Sequence, residues 1–167
     1  MSEDILHETS SPVVGAVNGR LKARFRARSY TVVFTPTQTI FARFTTALLK
    51  QEIADERSAA KEHGAGWMGR WKAQMGAAAT FVDRYKSMSV EEILAEHQKN
   101  HAIDNQSVQS VHLSNPVTTY DDDSFDVKNP LLTIETPGKT YKLRLDDAMD
   151  HVQVRDLLRQ VYGPKLQ

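Results

Sequence analysis

Polar and apolar residues alternate with period two in two separate stretches of the chain, and with a period near 3.6 in the stretch between them. The segment Gly19–Tyr30, GRLKARFRARSY, places Arg20, Lys22, Arg24, Arg26 and Arg28 at every second position, with Leu21, Ala23, Phe25 and Ala27 between. This is the pattern of a half-exposed strand. Asn18-Gly19 just before it accepts the positive φ of a tight hairpin turn, which predicts VVGAV paired with the basic strand. YTVVFTPTQTIFARF follows, two β-branched and aromatic runs broken at Thr35-Pro36-Thr37-Gln38, where proline marks a turn or a sheet edge. Tyr30, Val32 and Phe34 continue the parity of the cations as apolar residues. Either a bulge near Arg28 and Ser29 resets the register, or the strand is covered on different faces along its length.

From Thr46 to His97 the period becomes helical. A first helix is predicted over Thr46–Glu62, with Gly64 at its stop. A second, Gly66–Lys86, carries Trp67, Trp71, Met75, Ala78, Val82 and Tyr85 as one apolar stripe. A third starts at Ser89, where Ser-Val-Glu-Glu makes a capping box with Glu92. Strand character returns at Ser107–Leu113, followed by an acidic loop with Asp121, Asp122, Asp123 and Asp126. LLTIETPGKTYKLRL reads as a hairpin with Pro137-Gly138 at the centre of a type II turn. A last amphipathic helix, capped by Asp146 or Asp147 and carrying Val152, Val154, Leu157, Leu158 and Val161, ends at Gly163-Pro164. Strands, helices, strands and one terminal helix make an α+β order, and the helical block, about 46–105, reads as an insertion into one β structure.

The β segments resemble the pleckstrin-homology-like fold, in particular its bacterial and archaeal forms and their GRAM relatives. The resemblance is carried by YTVVFTPTQTIFAR, by IDNQSVQSVHL, by LLTIETPGKTYKLRL and by the helix from Asp147 to Tyr162. It implies a curled antiparallel β sandwich or barrel with a C-terminal capping helix, formed by residues 1–167 as one domain with a helical insertion larger than that family's usual loop. Members that bind inositol phosphates place a lysine on one strand and a basic-x-arginine pair on the next, across a short loop. With a turn at Asn18-Gly19, Lys22, Arg24 and Arg26 would all fall on one strand.

Composition narrows the chemistry. The 167 residues include no cysteine, which removes disulfides, thiolate metal sites and cysteine nucleophiles together. Formal net charge is zero but uneven: residues 20–86 hold 13 Lys and Arg against 5 Asp and Glu, and residues 87–167 hold 8 against 13. Such asymmetry marks either a basic binding face or two parts of one fold that attract each other. No run approaches the ~18 apolar residues of a membrane span and the N-terminus lacks a signal-peptide order, so a soluble, cytoplasmic chain is expected, with peripheral membrane association left open.

Several groups are candidates for function. The cations Arg20, Lys22, Arg24, Arg26 and Arg28 fit an anionic lipid or acidic partner, or else a solvated face paired across strands. Trp67, Met68, Trp71 and Met75 fit a partner or self-association interface, or else the stripe that docks the insertion on the sheet. His97 and His101 are spaced i, i+4 but lack the intervening acid of a zinc motif, and the Asp121–Asp126 stretch lacks the glycine and distal glutamate of a calcium loop. No nucleophile or phosphate-loop motif is present. The expectation is a non-enzymatic binding module without cofactor, metal or nucleic-acid partner, acting through its insertion on a protein or a second copy, or alternatively through the basic strand on an anionic membrane. A basic ladder facing open solvent favours the lipid; one paired with the acidic loop does not.

Overall fold

The structure, a computed structural model, describes residues 13–22, 25–45, 47, 48, 50, 54, 84–146 and 150–167. Nine strands lie among the described residues: β1 (Gly15–Lys22), β2 (Ala27–Phe34), β3 (Gln38–Arg43), β4 (His101–Asp104), β5 (Ser110–Leu113), β6 (Val117–Asp121), β7 (Ser124–Lys128), β8 (Leu131–Thr136) and β9 (Lys139–Leu145). Two α-helices lie wholly within the described residues, α1 (Val90–Ala95) and α2 (His151–Tyr162). Seven strands form one antiparallel sheet in the order β4-β3-β2-β1-β9-β8-β5, while β6 and β7 make a separate two-stranded sheet. The expected α+β class is therefore present, as an open sheet rather than a closed barrel, with Leu166 bridging in parallel to Val111 on the β5 edge. No helix among the described residues is long and apolar enough to cross a membrane.

The first hairpin lies elsewhere than Asn18-Gly19 predicts. Strand β1 pairs with β2 without interruption from Gly15 opposite Phe34 to Lys22 opposite Ala27, so both residues are in mid-strand and the turn falls after Lys22. Gly19 has no positive φ. Its role is close approach: a Cβ there would sit 2.5 Å from the Arg144 carbonyl oxygen and 2.7 Å from Leu143 Cγ on β9. Asn18 is buried and accepts a 2.7 Å hydrogen bond from the Thr31 hydroxyl on the neighbouring strand.

The even register also answers the parity question, since no bulge interrupts it. Residues Tyr30 to Phe34 are buried on both faces of β2. One face looks into the main core with Val17, Phe41, Leu132, Ile134, Leu143 and Leu145, which α2 seals with Val154, Leu158 and Tyr162 at intervals of four. The other carries Ala16, Val33, Ile40 and Ala42 and is covered by Tyr85, Ile93 and the partly buried Leu48, Met88, Val90 and Leu94 from the helical region. Burying each large side chain contributes about 1.5–3 kcal/mol before entropy, so the helical region forms part of the core here.

The other local signals divide. The capping box forms, with Ser89 Oγ accepting from the Glu92 amide at 3.2 Å and Glu92 Oε2 accepting from the Ser89 amide at 2.7 Å. Gly138 takes the positive φ, 82°, that its turn requires. The insertion ends earlier than residue 105, because His101–Asp104 is strand β4, paired with β3. The cap of α2 is Asp150, whose Oδ1 accepts from the amides of Val152 and Gln153, in place of Asp146 or Asp147. The acidic loop is a hairpin, β6–β7, turning at Asp122-Asp123.

Candidate anion-binding end of the sheet

The described cations of the basic stretch do not share one face, because the turn after Lys22 divides them. Arg20 and Lys22 lie on β1 with their backbone opposite Ser29 and Ala27; Arg28 lies on β2 opposite Leu21, with the parity of Tyr30 and Val32. Arg26 stands in the loop between, beside Phe25, which is 91% exposed. Arg24 lies outside the described residues, as do Trp67, Met68, Trp71 and Met75. Alternation alone implied one continuous strand; the chain instead reverses between Lys22 and Ala27, which pair with each other, and this divides the cations between two strands.

Other strands bring cations to that same end. Arg43, the last residue of β3, pairs with Tyr30 and holds its guanidinium carbon 5.8 Å from the centre of that ring. The Arg43 amide donates to Asn100 Oδ1 at 2.7 Å and Asn100 Nδ2 donates to the Ile93 carbonyl at 2.7 Å, which fastens the end of β3 to α1. His101 on β4 lies opposite Phe41 and stacks on it with ring centres 5.0 Å apart. Tyr141 of β9 stacks on the same Phe41 at 4.4 Å, and Lys139 Nζ sits 4.6 Å over Tyr141. Burial raises the Tyr141 phenol above its ordinary pKa.

Two buried nitrogens at this end have no partner, Arg43 Nε and His101 Nε2. With His101 Nδ1 donating to the Lys99 carbonyl at 3.2 Å, Nε2 is the free nitrogen of the ring. An unsatisfied buried polar group costs about 1–3 kcal/mol, which a bound ligand of suitable chemistry would offset.

On the outward face, Arg20 stands directly opposite Arg144 of β9, a like-charge pairing that is destabilising in a sheet. Arg144 Nη1 donates to the Asn129 carbonyl at 2.7 Å, and Lys142 is exposed beside it. Among the described residues the ion pairs are Arg84–Glu96 and Arg159–Asp156, neither of which uses a cation of this end. The acidic hairpin does not neutralise it.

Among the described residues no three His, Asp or Glu side chains gather as a metal site. His97 and His101 do not converge: His97 Nδ1 accepts from the Lys99 amide, while His101 turns to the Lys99 carbonyl. Sequence reasoning missed Arg43, Lys139 and Tyr141, and weighed His101 only as a metal ligand beside His97, because these residues come from β3, β4 and β9 and only the register across the sheet brings them together. The KLRL of β9 was the visible clue, a second alternation of cations matching that of β1. No family model matches the chain, and neither the curated proteins nor the solved structures yield a match.

Proposed function

We propose that this chain is a non-enzymatic binding module of pleckstrin-homology-like architecture whose basic end holds an anionic, phosphate-bearing membrane surface. The strand order supports the architecture: two antiparallel meanders, β1–β4 and β5–β8–β9, join through β1 and β9, and α2 packs across the interior. Phe41 and Tyr141 stack although their strands are three places apart in the sheet, a separation of about 14 Å if the sheet were flat. A sheet that bends over its own inner face accounts for that contact.

The position of the turn supports the ligand class. Lys22 ends one strand, and Arg26-Ala27-Arg28 stands across a short loop at the start of the next. That is the lysine and basic-x-arginine arrangement of the inositol-phosphate-binding members. The observation that carries the reading is that Lys22, Arg26 and Arg28, which flank a 91% exposed Phe25 along the chain, have no carboxylate partner among the described residues. Each cation near an anionic leaflet contributes about 1 kcal/mol, and burying Phe25 in the interface adds roughly 1.5–3 kcal/mol.

Co-sedimentation with phosphatidylcholine vesicles, with and without phosphatidylserine or a phosphoinositide, tests this. Binding is expected only to the anionic vesicles, weakening as salt shortens the screening length. Arg26→Glu with Arg28→Glu should abolish it, and Phe25→Ser should weaken it several-fold. No binding of the native chain to anionic vesicles at low salt would remove the proposal.

A further inference from the structure

The β6–β7 hairpin is exposed along its whole length. Its register places Tyr120 directly opposite Phe125 and Thr118 opposite Val127, so these four share one face. Tyr120 is 84% and Phe125 72% exposed. An isolated two-stranded hairpin is marginal in water, and an aromatic face left bare on one is more apolar than solubility calls for. Asp122 and Asp123 form its turn, and Asp121 and Asp126 lie with Lys128 on the reverse face, opposite Ser124, Thr119 and Val117, so the tip of the hairpin is acidic.

The chain carries a surface of the opposite character. At the β1–β2 loop an exposed Phe25 is set among Lys22 and Arg26, with Arg20 and Lys142 beside it on the outward face. Strand β5 runs antiparallel to β1, so the hairpin continuing β5 leaves the sheet in the direction opposite to the loop that continues β1. No ion pair joins the two surfaces within the chain among the described residues.

We propose that the β6–β7 hairpin of one copy docks on the basic end of a second copy, head to tail, its aromatic face against Phe25 and the aspartates at its tip, Asp121, Asp122 and Asp123, against Lys22, Arg26 and Arg20. Both surfaces lie on the same chain, and their charges are complementary within a total of zero. A heterologous contact of this kind closes into rings or extends into open chains. A hairpin this small gives a weak, concentration-dependent and salt-sensitive contact. It uses cations that the membrane proposal also uses, so anionic vesicles compete with it.

Sedimentation velocity over a concentration series, at about 50 mM and about 500 mM salt, tests the contact. The native chain should associate at low salt, its weight-average mass rising about twofold or more with concentration, and return to monomer at high salt. Asp121→Lys with Asp122→Lys and Asp123→Lys should be monomeric, as should Lys22→Glu with Arg26→Glu. An equimolar mixture of these two variants should associate again, since each supplies the charge the other lacks. Tyr120→Ser with Phe125→Ser should weaken association while leaving the circular dichroism spectrum unchanged. A native chain that stays monomeric at low salt overturns the proposal, as does association that survives either charge reversal, or a mixture that fails to restore it. Vesicle binding by the aspartate variant separates the two readings: lost association with retained vesicle binding is expected here, and native association without vesicle binding would remove the membrane reading alone.

Discussion

Strands β2 and β9 lie one strand apart in the same sheet and are buried in different ways. In β9 Tyr141, Leu143 and Leu145 are buried and Thr140, Lys142 and Arg144 are exposed, the strict alternation of a strand with one wet face. In β2 the run Tyr30–Phe34 is buried without alternation. The difference is the layer above: α1 and its neighbours cover the outer face of β1–β3, whereas the outer face of β9 meets water. A short run of consecutive apolar residues in an antiparallel strand therefore points to a second layer, whereas alternating cations such as Lys142 and Arg144 mark a face left to water.

The sharpest way to break this comparison is to empty the covered face. Ile40 on β3 is fully buried and faces the helical layer with Val33, Ala42, Tyr85 and Ile93. Ile40→Ala should cost about 2–5 kcal/mol by urea unfolding, whereas Lys142→Ala, on the wet face, should change stability by no more than about 0.5 kcal/mol. Equal effects from the two would mean that the outer layer is not packed on the sheet.

Gly19 tests the junction of the two halves, where β1 meets β9. Gly19→Ala directs a methyl at the Arg144 backbone oxygen, which cannot move without disturbing the β1–β9 ladder. Overpacking of this kind costs about 1–3 kcal/mol. A neutral outcome would show that β9 does not approach β1 there, and the pairing that joins the two meanders would need revision.

These particulars explain what was readable in advance. The runs of β2, β3, β8 and β9 were visible because a buried face on at least one side forces apolar residues into register, and the Ser89 box and the Pro137-Gly138 turn are local chemistry. Asn18-Gly19 misled because its local preference for a turn is outweighed by tertiary approach: glycine is there to admit a neighbouring strand. The strands instead reverse between Lys22 and Ala27, where the sequence holds no glycine, proline or asparagine. The β6–β7 hairpin has the sequence of a loop, because no core on either side imposes alternation on VTTYD and SFDVK. At the basic end, Lys22, Arg26 and Arg28 were legible as cations, but their neighbours Arg43, His101 and Lys139 are set by pairings across separate segments of the chain, which no local pattern records.

The smallest effect concerns how α2 is held to the sheet. The Tyr162 hydroxyl lies 2.5 Å from Thr39 Oγ1, which itself donates to Asn105 Oδ1 at 2.7 Å, so the tyrosine supplies the proton of the shorter contact. Tyr162→Phe keeps the ring edge-on to Phe34 and leaves Thr39 bonded to Asn105, so the loss should be about 1 kcal/mol rather than that of an orphaned buried group. The pH dependence carries the sharper signature. Burial pushes the Tyr162 phenol above its ordinary pKa, with the Thr39 bond opposing only in part. A phenol whose folded value lies above its unfolded value of about 10 contributes stability that is complete below that pH and is lost as pH rises through the folded value. Tyr85 is raised in the same sense, first by burial and then by Glu96, so it remains as a second contributor in the variant. Urea midpoints followed upward from neutral pH should fall less steeply above about pH 10 in Tyr162→Phe than in the native chain. Superimposable alkaline limbs would mean that this hydroxyl is hydrated, and that α2 is held against β3 by its apolar face alone.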